Sequence, residues 1–155
     1  MQVVLFQPEI APNTGNVVRL CACTNTTLHL IEPLGFKLDD ASLKRAGLDY
    51  WAWVRIHRWP NWATFAKNLP SNARLWMVEC GGPKAYDQVQ YQIDDYLVFG
   101  RETAGLPPQL LEQYRDTWIY IPILNPHARS LNLANCVAIV LYEALRQLKF
   151  PTYHH

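Results

Sequence analysis

Apolar positions fall into two regimes along the chain. Short β-prone runs, VVLF (3–6), LHLI (28–31), LWMV (75–78), YLVF (96–99) and WIYI (118–121), read as strands, and VRIH (54–57) as a weaker one. Between them the spacing turns helical. Val17, Leu20 and Cys21 in GNVVRLCAC (15–23) share one face, and residues 39–46 form a short helix closed by Gly47. Asn61 caps WATFAKNL, and PPQLLEQY opens with prolines tolerated at a helix start. The longest helix runs from about 131 to 149. Its face carries Leu133, Val137, Val140, Leu141, Ala144 and Leu148, widened by Cys136 and Leu145. A stripe that broad is covered on more than one side. Alternating strands and helices predict an α/β domain with a mostly parallel sheet and helices on both faces.

With 155 residues the chain is one domain, long enough to bury its own core. Half of it is apolar and only 17% is charged, which excludes disorder. Six Trp, eight Tyr and five Phe call for a large core or a large self-interface. No apolar run is long enough for a membrane span, and the N-terminus lacks the pattern of a signal peptide. Net charge is +1, so no general basic field exists, although residues 37–58 hold a local excess in Lys37, Lys44, Arg45, Arg55 and Arg58. Cys21, Cys23, Cys80 and Cys136 form no CxxC pair and read as small hydrophobes of a reducing cytosol, with no metal site. The terminal His154 and His155 are native or a tag remnant and are set aside.

Three loops join strands to helices: PEIAPNTGNVVR (8–19), FGRETAGLPP (99–108) and IPILNPHARSLNLAN (121–135). In open α/β sheets ligands bind at the carboxyl ends of strands, so three such loops make one site. In the first, Asn13 and Arg19 serve anion or ribose binding at a helix N-terminus, or else are a cap and a solvated side chain. In the second, Gly100 permits close backbone approach, and Glu102 meets either a ligand or a helix dipole. In the third, Ser130 and Asn132 hold substrate or cap the long helix. No GxGxxG, P-loop or GxSxG pattern is present.

Together the three loops, with EPLGF and RAGLDY between them, resemble the motifs of the SPOUT methyltransferases over nearly the whole chain. The likeness is to the small tRNA 2′-O-methyltransferases of the wobble nucleotide, cytidine or uridine. It implies a C-terminal deep trefoil knot and S-adenosylmethionine held by Val78, Gly100, Ile121 and Ser130. It also implies a cytoplasmic homodimer built through the first and last helices, with the tRNA anticodon loop as partner and neither DNA nor membrane. Asn13, Arg19, Glu102, Ser130 and Asn132 take the catalytic positions. Arg19 clamps a phosphate and stabilises the attacking 2′-oxygen, or with a phosphate removes its proton. Lys44, Arg45, Arg55, Arg58 and Arg101 are the candidate RNA contacts. The chain departs from the subgroup's GPETRG: Arg101 replaces proline and Ala104 replaces arginine. Ala134 stands where serine is common in the third motif. A ribosomal RNA 2′-O-methyltransferase and a non-catalytic RNA-binding dimer are the alternatives.

Overall fold

The structure, a computed structural model, describes residues 1–151; His154 and His155 lie outside the described residues. Seven strands form one sheet: β1 (Gln2–Phe6), β2 (Thr27–Ile31), β3 (Ile56–Trp59), β4 (Leu75–Val78), β5 (Lys84–Ala85), β6 (Tyr96–Phe99) and β7 (Trp118–Tyr120). Five α-helices connect them: α1 (Ala11–Thr24), α2 (Ala41–Gly47), α3 (Trp62–Lys67), α4 (Pro108–Gln113) and α5 (Leu133–Gln147). The strand order is β3-β2-β1-β6-β4-β7-β5, and every pairing is parallel.

Strand alternation sorts the core into two layers. Val3 and Leu5 point toward α1 and α5, meeting Val17, Val18, Cys21, Val137, Val140 and Leu141. Val4 and Phe6 point the other way, toward Phe65 of α3 and Leu110 and Leu111 of α4. Helices therefore cover both faces, which is why the strands are apolar throughout rather than alternating. The surplus of aromatic rings packs largely within the chain: His29, His57, Trp59, Phe65 and Tyr96 form a cluster that continues through Trp62 to Phe6 and Tyr114.

Several boundaries differ from expectation. Helix α1 starts at Ala11, not Gly15, because Pro12 fits the first helical turn and leaves no donor stranded there. It ends on Asn25, which takes the left-handed conformation at φ 50°. Strand β3 lies two residues later than 54–57, since its register is set by pairing with β2, Leu28 against Ile56. The two-residue β5 carries no hydrophobic run and escapes sequence reading. Asn61 caps α3 as expected, accepting from Thr64 N at 2.8 Å. Of the cysteines only Cys21 is fully buried; Cys136 is half-buried, and Cys23 and Cys80 are exposed. Burial pushes the Cys21 thiol up to about 12, so it stays neutral.

Candidate functional site

The sheet order reverses around β1: the chain steps outward through β2 and β3, then crosses to β4 on the far side of β6. Such a reversal opens a crevice beyond the carboxyl ends of the strands. A cleft of about 760 Å³ lies there, within the usual range for small-molecule sites. Val78 and Glu79 at the end of β4, 99–105 after β6 and Ile121 after β7 form its walls. Asn13 of α1 and 129–133 at the start of α5 close it.

The cleft is held by bonds between its loops. The Glu102 carboxylate accepts from Glu9 N at 2.7 Å and Ile10 N at 3.2 Å, at the mouth of α1. Glu9 answers in the opposite direction, accepting from Thr103 N at 3.1 Å and Thr103 Oγ1 at 2.8 Å. These Thr103 bonds hold the Glu9 carboxyl below its usual range, with Arg101 adding a weaker pull. Asn132 caps α5, accepting from Ala134 N and Asn135 N at 2.9 and 3.3 Å. Its Nδ2 donates to Oδ1 of the buried Asn13 at 2.9 Å, stapling the starts of α1 and α5 together.

Glycine geometry explains the second loop. A Cβ on Gly100 would overlap the backbone of Gly105 and Leu106. Arg101 and Gly105 then pair across the turn, with N–H···O distances of 3.3 and 2.9 Å. Gly105 sits at φ +65°, and a side chain there would strike the Glu79 carboxylate, which accepts from Leu106 N at 2.9 Å. The glycine at position 100 thus serves the loop's own close approach.

Val78, Gly100, Ile121 and Ser130 all line this cleft, together with Asn13, Glu102, Asn132 and Arg101. Arg19 does not. Six positions after Asn13, a helix has turned about 240°, which carries Arg19 off the cleft side. It shares a face with Gly15, whose Cα lies against Ala46 of α2. There its guanidinium lies 5.0 Å from the Tyr50 ring centroid. Within one chain Arg19 therefore lies apart from the mouth beside Asn13. Asn13 engages Asn132 rather than Arg19, and Glu102 engages backbone N–H groups rather than Arg19.

The five candidate RNA contacts do not form one group: three lie on the excursion between β2 and β3, one on β3 and one at the cleft. Lys44 and Arg45 are exposed on α2, and Arg55 is exposed just before β3. Arg58 is ion-paired with Glu32. Arg101 lies over Phe6, 5.7 Å from the ring centroid, and its buried Nε lacks a partner. Sequence reading missed Glu79, Glu9, Thr103 and Arg129. The signal for Glu79 was its place directly after a buried strand; Glu9 and Thr103 carry none, being 94 positions apart.

Comparison with known proteins places this geometry. The SpoU rRNA Methylase family profile matches residues 1–142. The chain belongs to the SpoU methylase family. A tRNA (cytidine(34)-2′-O)-methyltransferase of Saccharophagus degradans is 50% identical over 149 residues, 96% of each chain. A solved structure concerned with 2-OH methylation of C/U34 on tRNA superposes with a TM-score of 0.92 at 43% identity, covering 96% of this chain and 95% of that one. An AdoMet-bound rRNA methyltransferase from Sinorhizobium meliloti superposes at 0.84 with 25% identity, over 95% of this chain and 56% of its own. The SPOUT fold class is thus established, and the strand order is consistent with the knotted path of SpoU methylases. S-adenosylmethionine is the methyl donor of such enzymes, and the cleft suits it. Val78, Phe99, Ile121, Leu131 and Leu133 give apolar wall, and the 99–105 turn brings main chain to its lining. Among the described residues no group of three His, Cys, Asp or Glu is placed to hold a metal ion. Nor is any helix there long and apolar enough to cross a membrane.

Proposed function

We propose that this chain transfers a methyl group from S-adenosylmethionine to the ribose 2′-hydroxyl of the wobble cytidine or uridine in tRNA. The observation that carries this reading is one cleft at the strand ends where Val78, Gly100, Ile121 and Ser130 meet the starts of α1 and α5. The likeness to tRNA (cytidine(34)-2′-O)-methyltransferases over 96% of the chain supports the substrate.

Bound in the cleft, S-adenosylmethionine supplies a sulfonium-activated methyl whose leaving group is neutral. The chain's own task is alignment and management of a weakly acidic hydroxyl. Val78, Gly100, Ile121 and Ser130 hold the cofactor. Asn132 and Asn13 shape the mouth through their mutual bond. Glu102 fixes the 9–10 backbone against the second loop, so it positions the wall rather than moving a proton. Arg19 lies off the cleft of its own chain, so in this reading it meets the RNA at the cleft of a second copy brought alongside α1. A guanidinium stays protonated, so it clamps the adjacent phosphate and stabilises charge growing on the 2′-oxygen; the hydroxyl proton leaves by way of that phosphate to solvent as the O–CH3 bond forms and the S–CH3 bond breaks. DNA lacks that nucleophile and is no substrate.

Two copies assemble through α1 and α5 in this reading, and the enzyme works in the cytoplasm where tRNA is. Exposed Ile93, Tyr142 and Phe150 support the assembly, for they surround a groove that also includes Cys23 and Asn25 at the end of α1. The test is methyl transfer from labelled S-adenosylmethionine to purified tRNA, followed by nucleoside mass spectrometry. Labelled 2′-O-methylcytidine or 2′-O-methyluridine at the wobble position is expected. Unlabelled tRNA alongside a labelled ribosomal RNA would overturn the substrate assignment, and no cofactor binding by calorimetry would overturn the enzyme.

A further inference from the structure

Between β2 and β3 the chain makes an excursion through α2 and a 3₁₀ turn, Leu48–Trp53, that packs over α1. Its two tryptophans have opposite fates. Trp51 packs against the main core, whereas Trp53 is 75% exposed and is the one exposed tryptophan among the described residues. Trp53 makes no hydrogen bond or ring contact to the described residues, so nothing among them accounts for holding a large apolar ring in water. Its position is nonetheless fixed: Trp51 is anchored inward, Val54 N donates to Trp51 O at 3.3 Å, and Leu28 N ties Arg55 O to β2 at 2.9 Å.

Exposed cations flank this ring in sequence, on the same excursion, whose α2 packs against the 3₁₀ turn. Lys44 and Arg45 precede it on α2 and are exposed, and the exposed Arg55 follows it. Tyr50 of the same turn lies under Arg19. Asp39, Asp40 and Asp49 are the acids of the stretch, and Asp40 is engaged in accepting from Ser42 N at 2.7 Å. A protein–protein interface core is depleted in lysine, whereas an aromatic face set among cations is how unpaired nucleotides are bound.

We propose that Trp53 is a stacking platform for an unpaired base of the RNA substrate, with Lys44, Arg45 and Arg55 taking the flanking phosphates. The proposal rests on the RNA reading above and adds an aromatic contact to it. Stacking is sequence-tolerant because every base has a π face, so the platform holds the loop in place while the cleft selects the nucleotide that reacts.

The test uses the full chain and a labelled anticodon stem-loop RNA, titrated by fluorescence anisotropy against wild type, Trp53→Ala and Trp53→Phe. Trp53→Ala is expected to weaken binding roughly ten-fold or more, and Trp53→Phe to restore most of it. A second RNA with the same backbone but abasic loop positions should bind wild type and Trp53→Ala alike. S-adenosylmethionine affinity and melting temperature should not move, since the side chain stands in water outside the cleft. Equal affinities for the stem-loop, or an equal loss on the abasic RNA, would overturn the platform. So would a drop in molecular mass by light scattering with RNA affinity intact, which would make Trp53 a contact between copies of the chain. Trp53-dependent RNA binding without methyl transfer would leave the platform standing and overturn the enzymatic reading alone. Methyl transfer with an unchanged KM for tRNA in Trp53→Ala would do the reverse.

Discussion

The two ends of the sheet solve different problems. Around β6, β4 and β7, polar side chains are engaged with one another or with backbone N–H groups: Glu102 with the 9–10 backbone, Glu9 with Thr103, Asn13 with Asn132, Glu79 with Leu106 N. Around β2 and β3, an aromatic stack sits beneath the strands, while the excursion above exposes Lys44, Arg45, Trp53 and Arg55. A cleft that must present a small cofactor to one hydroxyl gains from loops locked before the ligand arrives. A surface that meets a flexible polyanion gains from charges left unpaired until it comes. The difference teaches that exposed cations and loops tied to one another by hydrogen bonds are complementary signals of two ligands of different stiffness.

The sharpest way to break this division is Arg19, which lies on the helix that feeds the cleft but faces the excursion. Arg19→Ala should lower single-turnover methylation of tRNA by about 10²–10⁴-fold, the scale for losing one such group. Arg19→Lys should restore little, because an ammonium lacks the planar two-point contact. S-adenosylmethionine affinity should stay within error by calorimetry. Near-normal rates would return Arg19 to a solvated position and leave the open end without a chemical role.

Next in size is a pH effect confined to the β2–β3 end. His29 is only 6% exposed, and its Nδ1 accepts from Trp59 Nε1 at 3.1 Å, so the ring is neutral with its proton on Nε2, toward Gln2 Oε1 at 2.8 Å. Burial, with His57 stacked beside it, lowers its pKa to about 4 from 6.5. The folded value is the lower one, so this stability is complete above pH 6.5 and is lost as pH falls from there toward 4. The loss is on the order of 3 kcal/mol. Urea denaturation of wild type should fall more steeply across that window than His29→Leu; parallel slopes would refute the assignment.

A smaller effect sharpens the cleft end. Asn132→Ala removes the cap of α5 and leaves the buried Asn13 oxygen without its donor, for a loss of about 1–2 kcal/mol in chemical denaturation. Weaker cofactor binding should accompany it. Unchanged stability would show that the staple contributes nothing beyond geometry. The smallest effect belongs to the open end. Replacing Lys44 and Arg45 with Ala should flatten the salt dependence of RNA binding, by roughly one unit of slope for each phosphate no longer neutralised. An unchanged slope would place the RNA-binding cations elsewhere.

How far the sequence reached follows the same division. Strands at 3–6, 28–31, 75–78 and 96–99 were legible because burial on both faces leaves a run of apolar letters. The three loops were legible as one site because strand ends converge in a parallel sheet. What escaped were relations between distant residues. Nothing local marks Glu9 as the partner of Thr103, or tells that Gly100 is glycine because Gly105 lies against it. Arg19 does stand one turn beyond Gly15, as the spacing implies. The phase differs because Gly15 is not the helix start: Asn13 already stands within the first turn and sets the direction in which Arg19 points. Trp53 was invisible as a feature because one letter cannot show which of two neighbouring tryptophans faces inward.

The bond from Asn132 to Asn13 also bears on the order in which the molecule comes into being. It joins residues 119 positions apart, and the Glu102–Glu9 bond joins residues 93 apart. A chain emerging from the ribosome can pair β1 with β2 early, since those strands are close in sequence. It cannot staple the starts of α1 and α5 until residue 132 has been made. Such long loop closures are slow. The nascent protein therefore passes through a stage that has an open basic surface and no finished donor pocket, and it gains the capacity to modify RNA only as its last helix docks.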